Sequence, residues 1–110
     1  MIYVTINRTE SGNIQSFTMM GHADFAEHGE DIVCAGASAV TLGMVNSIEV
    51  LTGVAAKAEQ GESGYLHCAF PENLPVDTSA KVQLLLEAMV LSLQEIEKAY
   101  GKHIKISFKP

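Results

Sequence analysis

Residues 2–20, IYVTINRTESGNIQSFTMM, decide the architecture of this chain. Ile2, Val4 and Ile6 alternate with Tyr3 and Thr5, the period of two expected of a strand with one apolar face. Glu10-Ser11-Gly12-Asn13 is a run of turn formers. Ile14 to Met20 returns to β-forming residues, and simple alternation puts Gln15, Phe17 and Met19 on one face. Two such runs around a short polar turn predict a β-hairpin.

The rest of the chain extends that hairpin. Gly21 ends the second strand, and His22 to Asp31 has no clean period. That stretch holds Asp24, Glu27, Glu30 and Asp31 without a Lys or Arg, as an exposed loop would. From Val33 the apolar residues Ala37, Val40, Met44, Ile48 and Leu51 recur at helical intervals of three and four, with Asp31 as the expected N-cap and Gly53 as the stop. The small residues Ala35, Gly36, Ala37, Ser38 and Ala39 leave room for another backbone to approach. Val54–Gln60 and Tyr65–Phe70 read as two strands around Gly61-Glu62-Ser63-Gly64. Asp77-Thr78-Ser79 offers N-caps for a second helix. Its stripe runs through Val82, Leu85, Leu86, Met89, Leu93 and Ile96 to a C′ residue at Gly101. Ile104, Ile106 and Phe108 alternate with lysines in a last, charged edge strand. The order ββαββαβ implies an α+β fold, a single domain over residues 1–110 with a mixed β-sheet and two α-helices sharing one of its faces.

A chain of 110 residues buries about two thirds of its unfolded surface, enough for one core without staples. Seven basic and 13 acidic residues leave a net charge of −6, which argues against direct nucleic-acid binding. Two cysteines are not a disulfide framework, and Met1-Ile2-Tyr3 lacks the charged start of a signal peptide. The apolar run from Ile32 to Val45 is shorter than the ~18–20 residues that span a bilayer. These features predict a reduced, cytoplasmic domain with no membrane partner.

Cys34 is the residue with most chemical promise. With Asp31 as N-cap it would stand at N3, where unpaired N–H groups and the helix dipole favour a thiolate. His22, twelve residues upstream at the end of a strand, could take the thiol proton, and the same N–H groups could hold the oxyanion of an attacked carbonyl. Each reading has a plain counterpart. A lone cysteine is usually a small apolar packing residue, and an aspartate at a helix start is usually a cap. Ser38 could bond within a site or back to the Cys34 carbonyl. Cys68 in a strand reads as packing, His28 as solvated, and His67 and His103 as strand residues. A metal site built from His22, His28, Asp31 and Cys34 matches no common zinc spacing, so no metal and no cofactor are expected.

The stretch from Gly21 to Ser38, GHADFAEHGEDIVCAGAS, resembles the signature of the ribosomal-processing cysteine proteases of the Prp family. Gly21, His22, Ala23, Gly29, Asp31, Ile32, Val33, Cys34, Ala35 and Ser38 carry the match, while Ala37 and Val40 replace the family's Val and Leu. The resemblance implies an endopeptidase that removes the N-terminal extension of a large-subunit ribosomal protein, the bacterial twenty-seventh. Cys34 would be the nucleophile, His22 the general base and Asp31 the third member, in a homodimer. Cleavage would follow an aromatic-rich apolar segment and precede a small residue and a basic run. Gly21, Gly36 and Ser38 would lie along the substrate, and Asp24, Glu27 and Glu30 could hold the basic residues. Two other classes stand beside this one: a thiol-based redox or metal-binding module, and a non-catalytic partner of the ribosome.

Overall fold

The structure is a computed structural model that describes residues 1–21, 28–62 and 64–110, without the side chains of residues 28–31. The hairpin forms as its sequence predicts, β1 at Ile2–Arg8 and β2 at Ile14–Met20. Thr9 N donates to Asn13 O at 2.8 Å and Gly12 N to Thr9 O at 2.9 Å to close the turn. One detail differs from simple alternation. Asn7 pairs with Ser16 but Arg8 pairs with Ile14, so Gln15 is an extra residue that bulges from β2. The bulge reverses the facing of what precedes it. Ile14 therefore joins Phe17 and Met19 in the core, and Gln15 is exposed.

The helix α1 spans His28–Thr52, β3 Lys57–Gln60, β4 Leu66–Ala69, α2 Val76–Tyr100 and β5 Ile104–Lys109. The five strands lie in the order β3-β4-β2-β1-β5, with β5 parallel to β1 and the other neighbours antiparallel. The sheet is thus mixed, as expected. The connection β2-α1-β3 steps over β4, and β4-α2-β5 steps back over β2 and β1. The two crossovers leave strands of opposite sense in opposite directions, so right-handed connections put both helices on one face. Burial agrees: Ile2, Val4, Ile6, Phe17, Met19, Leu66, Cys68 and Ile104 turn inward, onto Val33, Ala37 and Ile48 of α1 and Val82, Leu86, Met89 and Leu93 of α2. The other face of the sheet is polar, with Thr18 Oγ1 and His67 Nδ1 at 2.9 Å and Asn7 Nδ2 donating to Ser16 Oγ at 2.9 Å.

Several boundaries move. The start of α1 lies five residues before Val33, at His28, which makes helix of part of the expected loop and places Asp31 inside the helix rather than at its cap. Val54 to Ala56 precede β3 and are not strand. Pro75, not a polar side chain, caps α2, and Asp77 lies in its first turn. At the other end Gly101 has φ −61°, so it is not the left-handed C′ residue expected. Gly53 does meet that expectation at the end of α1, with φ +78° and its N donating to Glu49 O at 2.9 Å. By length and composition Ile32–Thr52 could cross a bilayer, a longer apolar run than Ile32 to Val45. Its buried side, Val33, Ala37, Thr41 and Ile48, packs into the core.

The edge strand β5 carries Lys105 and Lys109, and Glu97 Oε2 accepts from Ile106 N at 2.9 Å. The Arg8 guanidinium binds Glu87 of α2 by two bonds of 2.6 and 2.9 Å and lies 5.6 Å from the Phe108 ring centre. The Arg8 bond holds the Glu87 carboxyl below the usual carboxylate range.

Candidate active site

Cys34 is the seventh residue of α1 and half-buried, and it packs against the edge of the core. The earlier helix start changes its chemistry. The free N–H groups of an α-helix are the first four, so the Cys34 N–H lies within the helical ladder rather than at its open end. The expected N3 position and the oxyanion hole built from that N–H are therefore not formed by this helix.

The two cysteines divide sharply. Cys68 of β4 is fully buried opposite Phe17 and Ala58, and burial pushes its thiol up, so it resists forming the thiolate that reacts. It packs, as its place in a strand predicts.

Gly21 closes β2 with φ +92°. A side chain there would also have no space, because a Cβ would fall on the carbonyl oxygen of Met1. The sequence shows the glycine but not its reason, since Met1 and Gly21 meet only through the β1–β2 pairing of Tyr3 with Met20. Gly36 faces α2: a Cβ at that position would lie 3.8 Å from Ile96 Cδ1. That is an ordinary van der Waals distance, so the side of Gly36 that would carry a side chain lies against α2.

Ser38 lies one turn beyond Cys34 and is half-buried. Among the described residues its hydroxyl makes no bond to the Cys34 carbonyl. The helical back-bond belongs to buried Thr41, whose Oγ1 donates to Ala37 O at 2.9 Å and Ser38 O at 3.3 Å. His22, Asp24 and Glu27 lie outside the described residues. Glu30, Asp31 and His28 belong to α1 by backbone, and their side chains also lie outside the description. His67 faces Thr18 in the sheet, and His103 sits in the turn before β5 rather than in it. Among the described residues no three His, Cys, Asp or Glu side chains gather as metal ligands.

A two-layer sheet-and-helix domain with one half-buried thiol on its first helix is a frame in which a cysteine nucleophile fits, and known proteins make the class definite. The family described as Cysteine protease Prp matches residues 1–105. The "Ribosomal processing cysteine protease Prp" of Bacillus subtilis is 45% identical over 108 residues, covering 97% of this chain and 96% of its own. A crystal structure of the essential ribosomal processing protease Prp of S. aureus with a substrate peptide superposes with a TM-score of 0.86 at 40% identity, covering 99% of this chain and 100% of that one. The S. aureus protease with a covalently linked product peptide gives a TM-score of 0.83 at the same identity and coverage. The protein is thus a cysteine protease. It belongs to the Prp family.

Proposed function

We propose that this protease removes the N-terminal extension from the precursor of a large-subunit ribosomal protein, the bacterial twenty-seventh, with Cys34 as nucleophile and His22 as general base. The observation that carries the reading is the pairing of family membership with the half-exposed Cys34 near the start of α1, set against a buried Cys68. The Gly21–Ser38 stretch supports His22, and the curated relatives' role in ribosomal processing supports the substrate. The relative with a covalently linked product peptide supports a covalent route.

In this reading His22 takes the Cys34 proton and the sulfur attacks the scissile carbonyl carbon. The C–N bond breaks, the imidazolium gives its proton to the leaving amine, and a thioester links the Cys34 sulfur to the extension. Water, deprotonated by the same imidazole, hydrolyses the thioester and restores the thiol. Asp31 orients the imidazole, three residues ahead of the nucleophile on α1. The uncompensated Asp24, Glu27 and Glu30 hold the basic run that follows the cleaved bond, with Ser38 and Gly21 flanking the substrate. The enzyme acts in the cytoplasm as a homodimer, without metal, cofactor or direct nucleic-acid contact.

The test is incubation of the parent and a Cys34→Ser variant with a peptide spanning the junction of extension and mature protein. Cleavage at one bond by the parent alone supports the reading. Cleavage by both, or by neither when the peptide is bound, overturns it.

A further inference from the structure

We infer that Gly21 is a positioning residue for catalysis, because two separate features of its surroundings set the direction in which the chain leaves β2 for His22. The inference rests on the reading of His22 as the general base. The first feature is backbone conformation: at φ +92° a glycine is at ease and an L-residue is strained. The second is space. A Cβ on Gly21 would fall on the Met1 carbonyl oxygen, and the Met1 carbonyl carbon and the Ile2 Cα stand next nearest, at 3.4 and 3.6 Å. These are backbone atoms of Met1, just ahead of β1, and of Ile2, its first residue. They are held by the pairing of Tyr3 with Met20 and by Ile2 N donating to His103 O at 2.9 Å, so they do not give way as a flexible side chain would.

The other positive-φ glycines whose surroundings are described show what is particular here. Gly12 and Gly53 have φ +90° and +78°, but a Cβ on either meets nothing within 4 Å. They serve a turn and a helix end. Gly21 alone of these three combines the left-handed conformation with a filled space, and it precedes His22 by one peptide bond. An L-side chain at Gly21 forces a rotation of its backbone or a shift of β1, and either displaces the next residue. A catalytic group misplaced by ~1 Å loses about 100-fold in rate. The end of β1 thus acts on the chemistry through Gly21, without touching substrate.

The inference separates conformation from mere smallness, and D-alanine tests it. A D-residue accepts φ +92° and carries its Cβ on the opposite side of the Cα from the L-Cβ. Residues 1–33 made synthetically and joined to 34–110 at Cys34 leave the native cysteine at the junction, so the full chain is obtained with L-Ala or D-Ala at Gly21. The readouts are kcat, KM and the pH profile of kcat/KM on the junction peptide. With L-Ala, kcat falls about 100-fold with little change in KM, and the acid limb of the profile moves. With D-Ala, kcat returns to within about 3-fold of the parent, with the parental profile. Loss with D-Ala equal to that with L-Ala overturns the inference, as does near-parental kcat with L-Ala. If the L-Ala chain does not fold, the glycine serves the fold rather than the chemistry, and the inference is overturned. A parallel His22→Ala control keeps the two readings apart, because full activity in that variant refutes the base assignment whatever Gly21 does.

Discussion

The two helices have the same length, 25 residues each, and lie on the same face of the sheet, yet they are built differently. The helix α2 is amphipathic in the ordinary way. Val82, Leu86, Met89, Val90 and Leu93 are buried, and Lys81, Glu87, Glu95, Glu97 and Lys98 meet solvent or surface partners. The helix α1 carries no charge from Ile32 to Ile48, and small residues fill the turns around Cys34. One helix is a scaffold whose buried stripe packs on the sheet, although Val76, Leu84 and Leu91 are exposed on it. The other is uncharged from Ile32 to Ile48, with Glu30 and Asp31 in the turn before its thiol, and its small residues let a neighbouring backbone lie close.

The strongest way to break this contrast is to remove the chemistry from α1. Cys34→Ser should lower kcat/KM on the junction peptide by roughly four orders of magnitude or more, and His22→Ala by roughly 10²–10⁴-fold. Neither should change the urea midpoint much, since Cys34 is only half-buried. A Cys34→Ser protein with residual turnover near the parent's would end the assignment of roles to the two helices.

A thiol-modification experiment sharpens the same contrast within the native protein. Iodoacetamide should label Cys34 well before Cys68, whose thiol is buried and disfavoured as thiolate. Mass spectrometry of digested samples over time gives both rates. Equal rates, or Cys68 first, would contradict the buried strand environment.

The scaffold role of α2 predicts a stability effect without a site effect. Leu86→Ala removes a fully buried side chain and should cost about 2–5 kcal/mol of unfolding free energy in urea. Leu84→Ala, on the exposed side of the same helix, should stay within about 0.5 kcal/mol. Similar values for the two would show that the burial pattern of α2 is wrong.

The smallest expected effect is at the Arg8–Glu87 pair. Its side chains are 28% and 43% exposed, so screening limits the pair to about 1 kcal/mol or less. Arg8 lowers the Glu87 carboxyl in the folded state, so the folded chain binds that proton less readily than the unfolded one. The stabilisation is complete above the ordinary glutamate value of about 4.3 and is lost as pH falls through the depressed folded value. The stability difference between the parent and Glu87→Gln, followed from about pH 6 to pH 3, should therefore shrink towards acid. A difference that grows towards acid would have the wrong sign for this pair.

The element order was legible because it rests on local periodicity, and a mixed sheet followed from that order. Ile2, Val4 and Ile6 alternate, and Val82 through Leu93 recur at helical spacing, whatever they pack against. The packing role of Cys68 was also legible, from its place in a strand. The position of Cys34 within its helix was not. Polar residues around Asp31 suit a cap, but α1 begins at His28, and that shift takes the Cys34 N–H out of the open helix end. The facing of Ile14 failed in the same way, since a bulge at Gln15 changes alternation without any mark in composition.

The sequence by itself determined the order of elements, the polar and apolar faces, and the motif that contains His22 and Cys34, because these depend on residues near one another in the chain. The tertiary structure alone decided why Gly21 has no room for a side chain and that Gly36 faces α2. Met1 and Ile96 are those neighbours, from 20 and 60 residues away. Contacts across that distance follow from strand pairing and helix packing, which no local pattern encodes.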